Sequence, residues 1–302
     1  MTPMSSRTRL AALASVSALA LVGLSGCGSE GQAPASGDTT PTQAADPSDG
    51  SDEPTPEPSE SADTTTVPVY FVGDTPQGQR LFREFRKVEA DNPAAEALAL
   101  MTAGDTLDPD YSTLYPSGTF TSVEIGDDKI TVGLPDESWT TAPDGMSDDQ
   151  ARLAAQQLVY TVQGIAQKRL PVAIELDGAP ADLFGLGGEV SNDPEIDVRA
   201  LVNVTTPEEG ASVSGTFTAS GVSSSFEATT PWEIREGGAD GKVVQKGFAT
   251  ADGWMDKLYP WETDVDVSDL PAGDYTFVAM TDDPSEGEGG GPTVDTKSIT
   301  IK

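Results

Sequence analysis

The chain has 302 residues, with 17 Lys and Arg against 50 Asp and Glu, no histidine and one cysteine. A net charge of −33 repels phosphate backbones and excludes nucleic acid as a partner. The missing imidazole removes the commonest general base and the commonest zinc ligand, and the single cysteine leaves no internal disulfide, so any fold is held by its apolar core.

In chain order, Arg7 and Arg9 precede Leu10 to Leu24, a run of small and apolar side chains that reads as a secretory leader. The run is too short for a retained spanning helix. Leu24-Ser25-Gly26-Cys27 at its end resembles the lipobox of bacterial lipoproteins, in which the cysteine thiol is acylated and becomes the mature N-terminus. The resemblance implies a leader over 1–26, lipid attachment (palmitate) at Cys27 and a polypeptide anchored to the extracytoplasmic face of the cell membrane. Two or three acyl chains, at about 0.8 kcal/mol per buried methylene, make such an anchor stable. Residues 27–66 are almost entirely Gly, Ser, Pro, Thr, Ala and acidic residues with no cation and no aromatic, a composition that cannot offset its ordering entropy. They read as a disordered tether, spanning roughly 35 Å as a flexible coil.

Order is expected to begin at Val67, and residues 67–181 read as an α+β domain. Val67 to Val72 is β-rich and closes on Gly73-Asp74. Arg80 to Val88 is ambiguous, because Leu81, Phe82, Phe85 and Val88 share a helical face while the aromatic-rich octet also suits a strand. Asn92-Pro93 starts a helix that Gly104 stops. Phe120 to Ile125 and Lys129 to Leu134 alternate around Gly126-Asp127-Asp128 as a hairpin. Ser147 and Gln150 form a capping box for a helix to about Gln167, with Ala154, Leu158, Val162 and Ile165 as its buried stripe. Pro171 to Leu176 reads as a strand, and both helices are expected to cover one sheet face.

Residues 182–198 read as a Gly-rich, acidic linker, either a hinge or a packed connector. From Arg199 to Lys302 short alternating runs recur every eight to twelve residues with no convincing helix, the pattern of an all-β sandwich. Trp232, Phe217, Phe248 and Phe277 are expected to fill its core.

Residues 67–180 resemble the GerM-type domain of sporulation and spore-germination proteins. The resemblance rests on Gln157-Leu158-Val159-Tyr160-Thr161-Val162, Tyr115-Pro116-Ser117-Gly118-Thr119 and Leu176-Asp177-Gly178-Ala179-Pro180. Asp105 stands where the family usually has proline, and Gly133 where an Asp is common. Residues 199–302 resemble the immunoglobulin-like domain of bacterial spore germination through Val204 to Gly210, Gly221 to Ala228 and Leu270-Pro271-Ala272-Gly273-Asp274-Tyr275-Thr276. The whole layout resembles actinobacterial lipoproteins. It implies an α+β domain followed by an immunoglobulin-like sandwich, association with envelope assemblies of sporulation and germination, and no known catalytic group.

Candidate chemistry is sparse. The acidic pairs Asp148-Asp149 and Asp127-Asp128 fall in a helix first turn and a hairpin turn. The loop Asp282 to Glu288 offers oxygens to Ca²⁺ but lacks the spacing of an EF-hand, so no metal and no cofactor is expected. Trp254, Tyr259 and Trp261, around Pro260, form a candidate ligand surface if exposed. Arg80, Arg83, Arg86 and Lys87 form a basic cluster that either meets an anionic polymer or pairs with Glu84 and Glu89. The expected function is non-catalytic recognition or scaffolding at the membrane's outer face, with an envelope protein as partner. The alternatives are a module binding cell-wall glycan or polymer and a carboxylate-based hydrolase.

Overall fold

The computed structural model describes residues 63–283 and 290–302. The leader, Cys27, all but the last residues of the 27–66 stretch, and most of the acidic loop after Asp283 lie outside the described residues.

The chain opens on β1 (Thr64–Thr75) and β2 (Gly78–Glu89), which pair antiparallel along their whole length, Thr64 against Glu89 and Thr75 against Gly78. The ambiguous octet is therefore strand. Thr64 to Thr66, with the composition of the tether but β-branched, extend β1 against Lys87 to Glu89. At the turn Gly78 adopts φ 97°, and the Thr75 hydroxyl donates to its carbonyl. α1 (Pro93–Ala103) has proline in its first turn and ends on Gly104 in the left-handed region. β3 (Ser122–Ile125) and β4 (Ile130–Gly133) form the expected hairpin. Gly133 carries no side chain because a Cβ would meet the hydroxyls of Thr121 and Ser122 at 2.5 and 2.6 Å.

α2 (Asp148–Ala166) has the full capping box, Ser147 Oγ accepting from Gln150 N and Gln150 Oε1 from Ser147 N. β5 (Val172–Leu176) pairs parallel with β4, so α2 is the crossover between them. Two-residue strands β6 (Ala179–Pro180) and β7 (Glu189–Val190) both add to β5.

The expected single sheet is two. β1 and β2 stand as a separate ribbon, and β3, β4 and β5 make the second sheet. The reason lies at the ribbon's edges. Val72 of β1 bridges Ser112, and Leu81 of β2 bridges Arg199, so both edges are occupied by loop backbone. Phe71, Leu98, Met101, Ile130, Leu158 and Ile174, all fully buried, join both sheets and both helices in one core. Leu183 and Phe184 are buried in the same core, which makes 182–198 a packed connector ending in α3 (Glu195–Val198).

The remaining strands are β8 (Val202–Thr206), β9 (Ala211–Val213), β10 (Thr216–Ser223), β11 (Thr229–Glu236), β12 (Lys242–Thr250), β13 (Tyr259–Asp266), β14 (Gly273–Met280) and β15 (Val294–Ile301). They form two sheets, β13-β10-β8 and β12-β11-β14-β15-β9, an immunoglobulin-like sandwich. The Tyr275 hydroxyl donates to the Pro271 carbonyl four residues back, a tyrosine corner.

One core assignment is corrected. Trp232 and Phe277 stack inside at 6.2 Å, and Phe217 packs edge-on, but Phe248 is 65% exposed. Gly247 is the cross-strand partner of Trp232, and a Cβ there would meet the indole at 2.4 Å. The indole covers the glycine, and period-two alternation then turns Phe248 to solvent.

Candidate functional site

β15 reads Val-Asp-Thr-Lys-Ser-Ile-Thr-Ile, and its buried phase takes in Asp295, Lys297, Ile299 and Ile301. Two charges thus occupy core positions at the end of a strand whose other half is apolar. They meet the loop after α1. Lys297 Nζ donates to Asp108 Oδ2, to Asp295 Oδ1 at 2.9 Å and to the Tyr111 hydroxyl at 2.8 Å. Tyr111 donates in turn to Asp295 Oδ1 at 2.7 Å. Asp295 Oδ2 accepts from Asn203 Nδ2 at 2.9 Å and Val204 N at 2.6 Å. Asn203 Oδ1 accepts from Arg83 N on β2, so the network ties residues 83, 108 and 111 to 203, 204, 295 and 297.

Electrostatics in this cluster follow from burial. Desolvation pushes the Asp108 carboxyl up to about 6, against the pull of Lys297. Burial alone would lower the Lys297 ammonium, but Asp295 and Asp108 outweigh it and hold it above the usual lysine value. Tyr111 is pushed well up, by burial first and then by Asp295 and Asp108. Each side chain spends its bonding capacity on its neighbours, which suits a clamp between the two domains.

The basic cluster does not assemble. As a strand, β2 sends Arg80 and Arg86 to one face and Arg83 and Lys87 to the other. Arg86 pairs with Glu84 at 3.3 Å and with Asp105 at 3.5 Å. Glu84, buried, also accepts from the backbone of Leu107 and Asp108, each at 2.9 Å. Asp105, at the family's usual proline position, therefore supplies an ion pair. Arg83 stands 4.5 Å over the Phe85 ring and donates to Thr205 Oγ1. Lys87 is exposed. Arg80 lines a polar cleft of about 610 Å³ with Gln77, Gln79, Gln150, Arg152 and Leu153.

The aromatic surface also changes composition. Trp261 is 3% exposed, because its indole lies across Gly221 on β10, where a Cβ would meet it at 2.7 Å. Tyr259 is half-buried against Gly253. Trp254 is exposed and packs edge-on at 5.2 Å against Phe226, also exposed. Met255 beside it is 66% exposed. Glu227, Ala228 and Met255 all have positive φ, and the Met255 N–H donates to Ser224 Oγ, which joins the two loops. Sequence reasoning missed Phe226 and Met255, which lie in separate loops, and the Asp295–Lys297 pair, whose signal was the two-residue phase shared with Ile299 and Ile301.

Three carboxylates, Glu89 and Asp91 exposed and Glu96 half-buried, bring oxygens within 4.8 Å of one another. Glu96 is already committed to the Glu89 N–H at 2.9 Å. Among the described residues no helix is long and apolar enough to cross a membrane.

A family described as sporulation and spore germination matches residues 68–182, and one described as the immunoglobulin-like domain of bacterial spore germination matches residues 201–288. No curated protein matches the chain. Among solved structures, the tandem GerMN domains of the sporulation protein GerM from Bacillus subtilis match with a TM-score of 0.35 and 13% identity. That match covers 45% of this chain and spans about half, 49%, of the other. Over these two segments, in this order, the chain is similar to a sporulation and spore germination domain and to an immunoglobulin-like domain of bacterial spore germination.

Proposed function

We propose that the chain is a lipid-anchored, non-catalytic recognition or scaffolding protein at the outer face of the cell membrane, with an envelope protein as its partner. The observation that carries this reading is the exposed Phe226–Trp254–Met255 cluster on the sandwich. Left-handed backbone at three non-glycine residues costs about 1–3 kcal/mol each, and such strain concentrates where a surface is shaped for binding. Exposed aromatics joined across two loops are the composition of a protein hot spot. The clamp through Asp108, Lys297 and Asp295 ties the sandwich to the GerM-type domain, so a partner bound at this tip is held in register with both.

The carboxylate hydrolase is disfavoured by the same geometry. The buried acids Glu84, Asp108 and Asp295 are each committed to cations and backbone N–H groups.

In-cell cross-linking of the native protein tests the reading. A reproducible set of envelope proteins is expected, lost in F226A/W254A/M255A while the melting temperature stays within about 2 °C, as fits exposed side chains. Wall fragments recovered without a consistent protein overturn it. Metabolic labelling with an alkyne fatty acid is expected to mark the wild type and not C27S; equal labelling overturns the anchor.

A further inference from the structure

Two cavities adjoin beside β1, one of about 190 Å³ and one of about 440 Å³, sharing Tyr70, Gly164 and Gln167. Lys168 and Arg169 line only the first, and Arg83 lines only the second, so cations mark both ends. Neither cavity is lined by a carboxylate, in a chain with 50 Asp and Glu against 17 Lys and Arg.

Positive charge is in excess around the shared tyrosine. Arg199 stands 5.3 Å over the Tyr70 ring, and Arg169 stands 5.1 Å over Tyr160, whose ring is 5.4 Å from Tyr70. Among the described residues the one carboxylate ion-paired here is Glu195, 2.8 Å from Arg169 and 3.6 Å from Arg199. Arg83 Nε, Arg199 Nε and Arg199 Nη2 are buried with no hydrogen-bond partner, and Arg199 as a whole is 4% exposed. An unsatisfied buried donor costs about 1–3 kcal/mol, more when charged. The Arg83 guanidinium is drawn below its usual value, by burial first, with Arg199 adding to it against Tyr70. Lys168 and Arg169 follow the carboxyl end of α2, where the helix dipole favours cations. That explains those two residues. It does not explain Arg83 and Arg199, which arrive from β2 and from beyond α3.

We propose that this groove binds an anionic glycan, a polymer whose sugar or polyol units carry carboxylate or phosphate groups. The acids lie at Arg83 and at Lys168–Arg169, and the amide of Gln167 meets hydroxyls between them. Phe85, Pro68 and Ile165 supply the apolar face that a sugar ring covers. Separated cations with an uncharged middle fit a repeating anion better than a single compact one. The groove is separate from the Phe226–Trp254 tip, and its occupancy does not depend on the protein partner proposed there.

The full chain titrated with polygalacturonate, polyglycerol phosphate, neutral dextran and inorganic phosphate tests this, by calorimetry at constant ionic strength. At least one polyanion is expected to bind ten-fold or more tightly than dextran and inorganic phosphate. K168Q/R169Q and R83Q are each expected to weaken it at least ten-fold, the double variant with an unchanged melting temperature. Polyanion affinity unchanged in both variants overturns the proposal, as does equal binding of dextran. Inorganic phosphate bound as tightly as the polymers makes the groove a simple anion site and overturns the glycan. So does binding of phosphatidylglycerol vesicles that depends on Arg83 and Lys168–Arg169 while neither polymer binds.

Discussion

Two charged clusters lie where the α+β domain meets the sandwich, and they are built to opposite rules. Around Lys297 the ammonium faces two carboxylates and a phenol, and each carboxylate oxygen of Asp295 has a donor. Around Arg199 two neighbouring guanidinium groups, those of Arg83 and Arg199, have unbonded nitrogens, and among the described residues Glu195, on Arg199, is the one carboxylate ion-paired with either. Both clusters lost water on folding, and burying charge is costly in either case. The first meets its donors and acceptors inside the chain, so it is complete as a structural device. The second recovers it only in part, which is the mark of a place that awaits something from outside.

Breaking the complete cluster has the largest expected effect. K297M leaves Asp108 and Asp295 buried without their cation, and loss of about 3–5 kcal/mol is expected in urea unfolding. A loss under about 1 kcal/mol shows that water reaches the site and that the clamp is not what holds the domains together.

The pH dependence comes next. Asp108 rises from 3.8 to about 6 on folding, so the folded protein binds its proton more tightly than the unfolded chain does. Its contribution to stability is complete below pH 3.8 and is lost as pH rises through 6. Wild-type protein is therefore expected to lose stability relative to D108N between pH 4 and 6.5, by up to about 3 kcal/mol at 1.36 kcal/mol per unit. Parallel curves for the two proteins across that range show that Lys297 holds Asp108 ionised throughout.

Removing the Tyr111 hydroxyl is milder. It donates to Asp295 and accepts from Lys297, both buried, so Y111F is expected to cost about 1–3 kcal/mol.

How much of this was legible in the sequence depended on the range over which each signal acts. Local signals were reliable. The capping box at Ser147, proline at the start of α1, Gly104 at its end and the two-residue alternation of the sandwich each specify an element within a few positions. Signals that need a partner strand were not legible. Phe248, in a β-rich run, reads as core and Trp261, beside Pro260, as a candidate surface residue, and the fates of both are decided by glycines. Gly247 draws Trp232 inward and leaves Phe248 outside, and Gly221 on another strand receives Trp261. The Arg80–Lys87 run looked like one basic patch because sequence proximity ignores the alternation that divides it between two faces. Lys168 and Arg169, which line the groove, and Arg199 beside Tyr70 are not legible as neighbours of Arg83, because they belong to segments far from β2 in sequence. Asp295 and Lys297 were the nearest miss, since they share the phase of Ile299 and Ile301 in a run already read as strand.

The smallest expected effect on stability gives the sharpest contrast. Arg199 is as deeply buried as Lys297, and by burial alone the two substitutions R199M and K297M look alike. They differ in what is left behind. Removing Lys297 strands two carboxylates, whereas removing Arg199 leaves only Glu195, which keeps Arg169 at 2.8 Å, and it relieves two unbonded nitrogens. Replacing a poorly satisfied buried charge by an apolar side chain of similar volume is often neutral or stabilising. R199M is therefore expected to unfold within about 1 kcal/mol of wild type, on either side, while weakening polyanion binding by removing positive charge beside Tyr70. A loss of 3 kcal/mol or more, matching K297M, would make Arg199 a structural residue like its counterpart, and the difference between the two clusters would disappear.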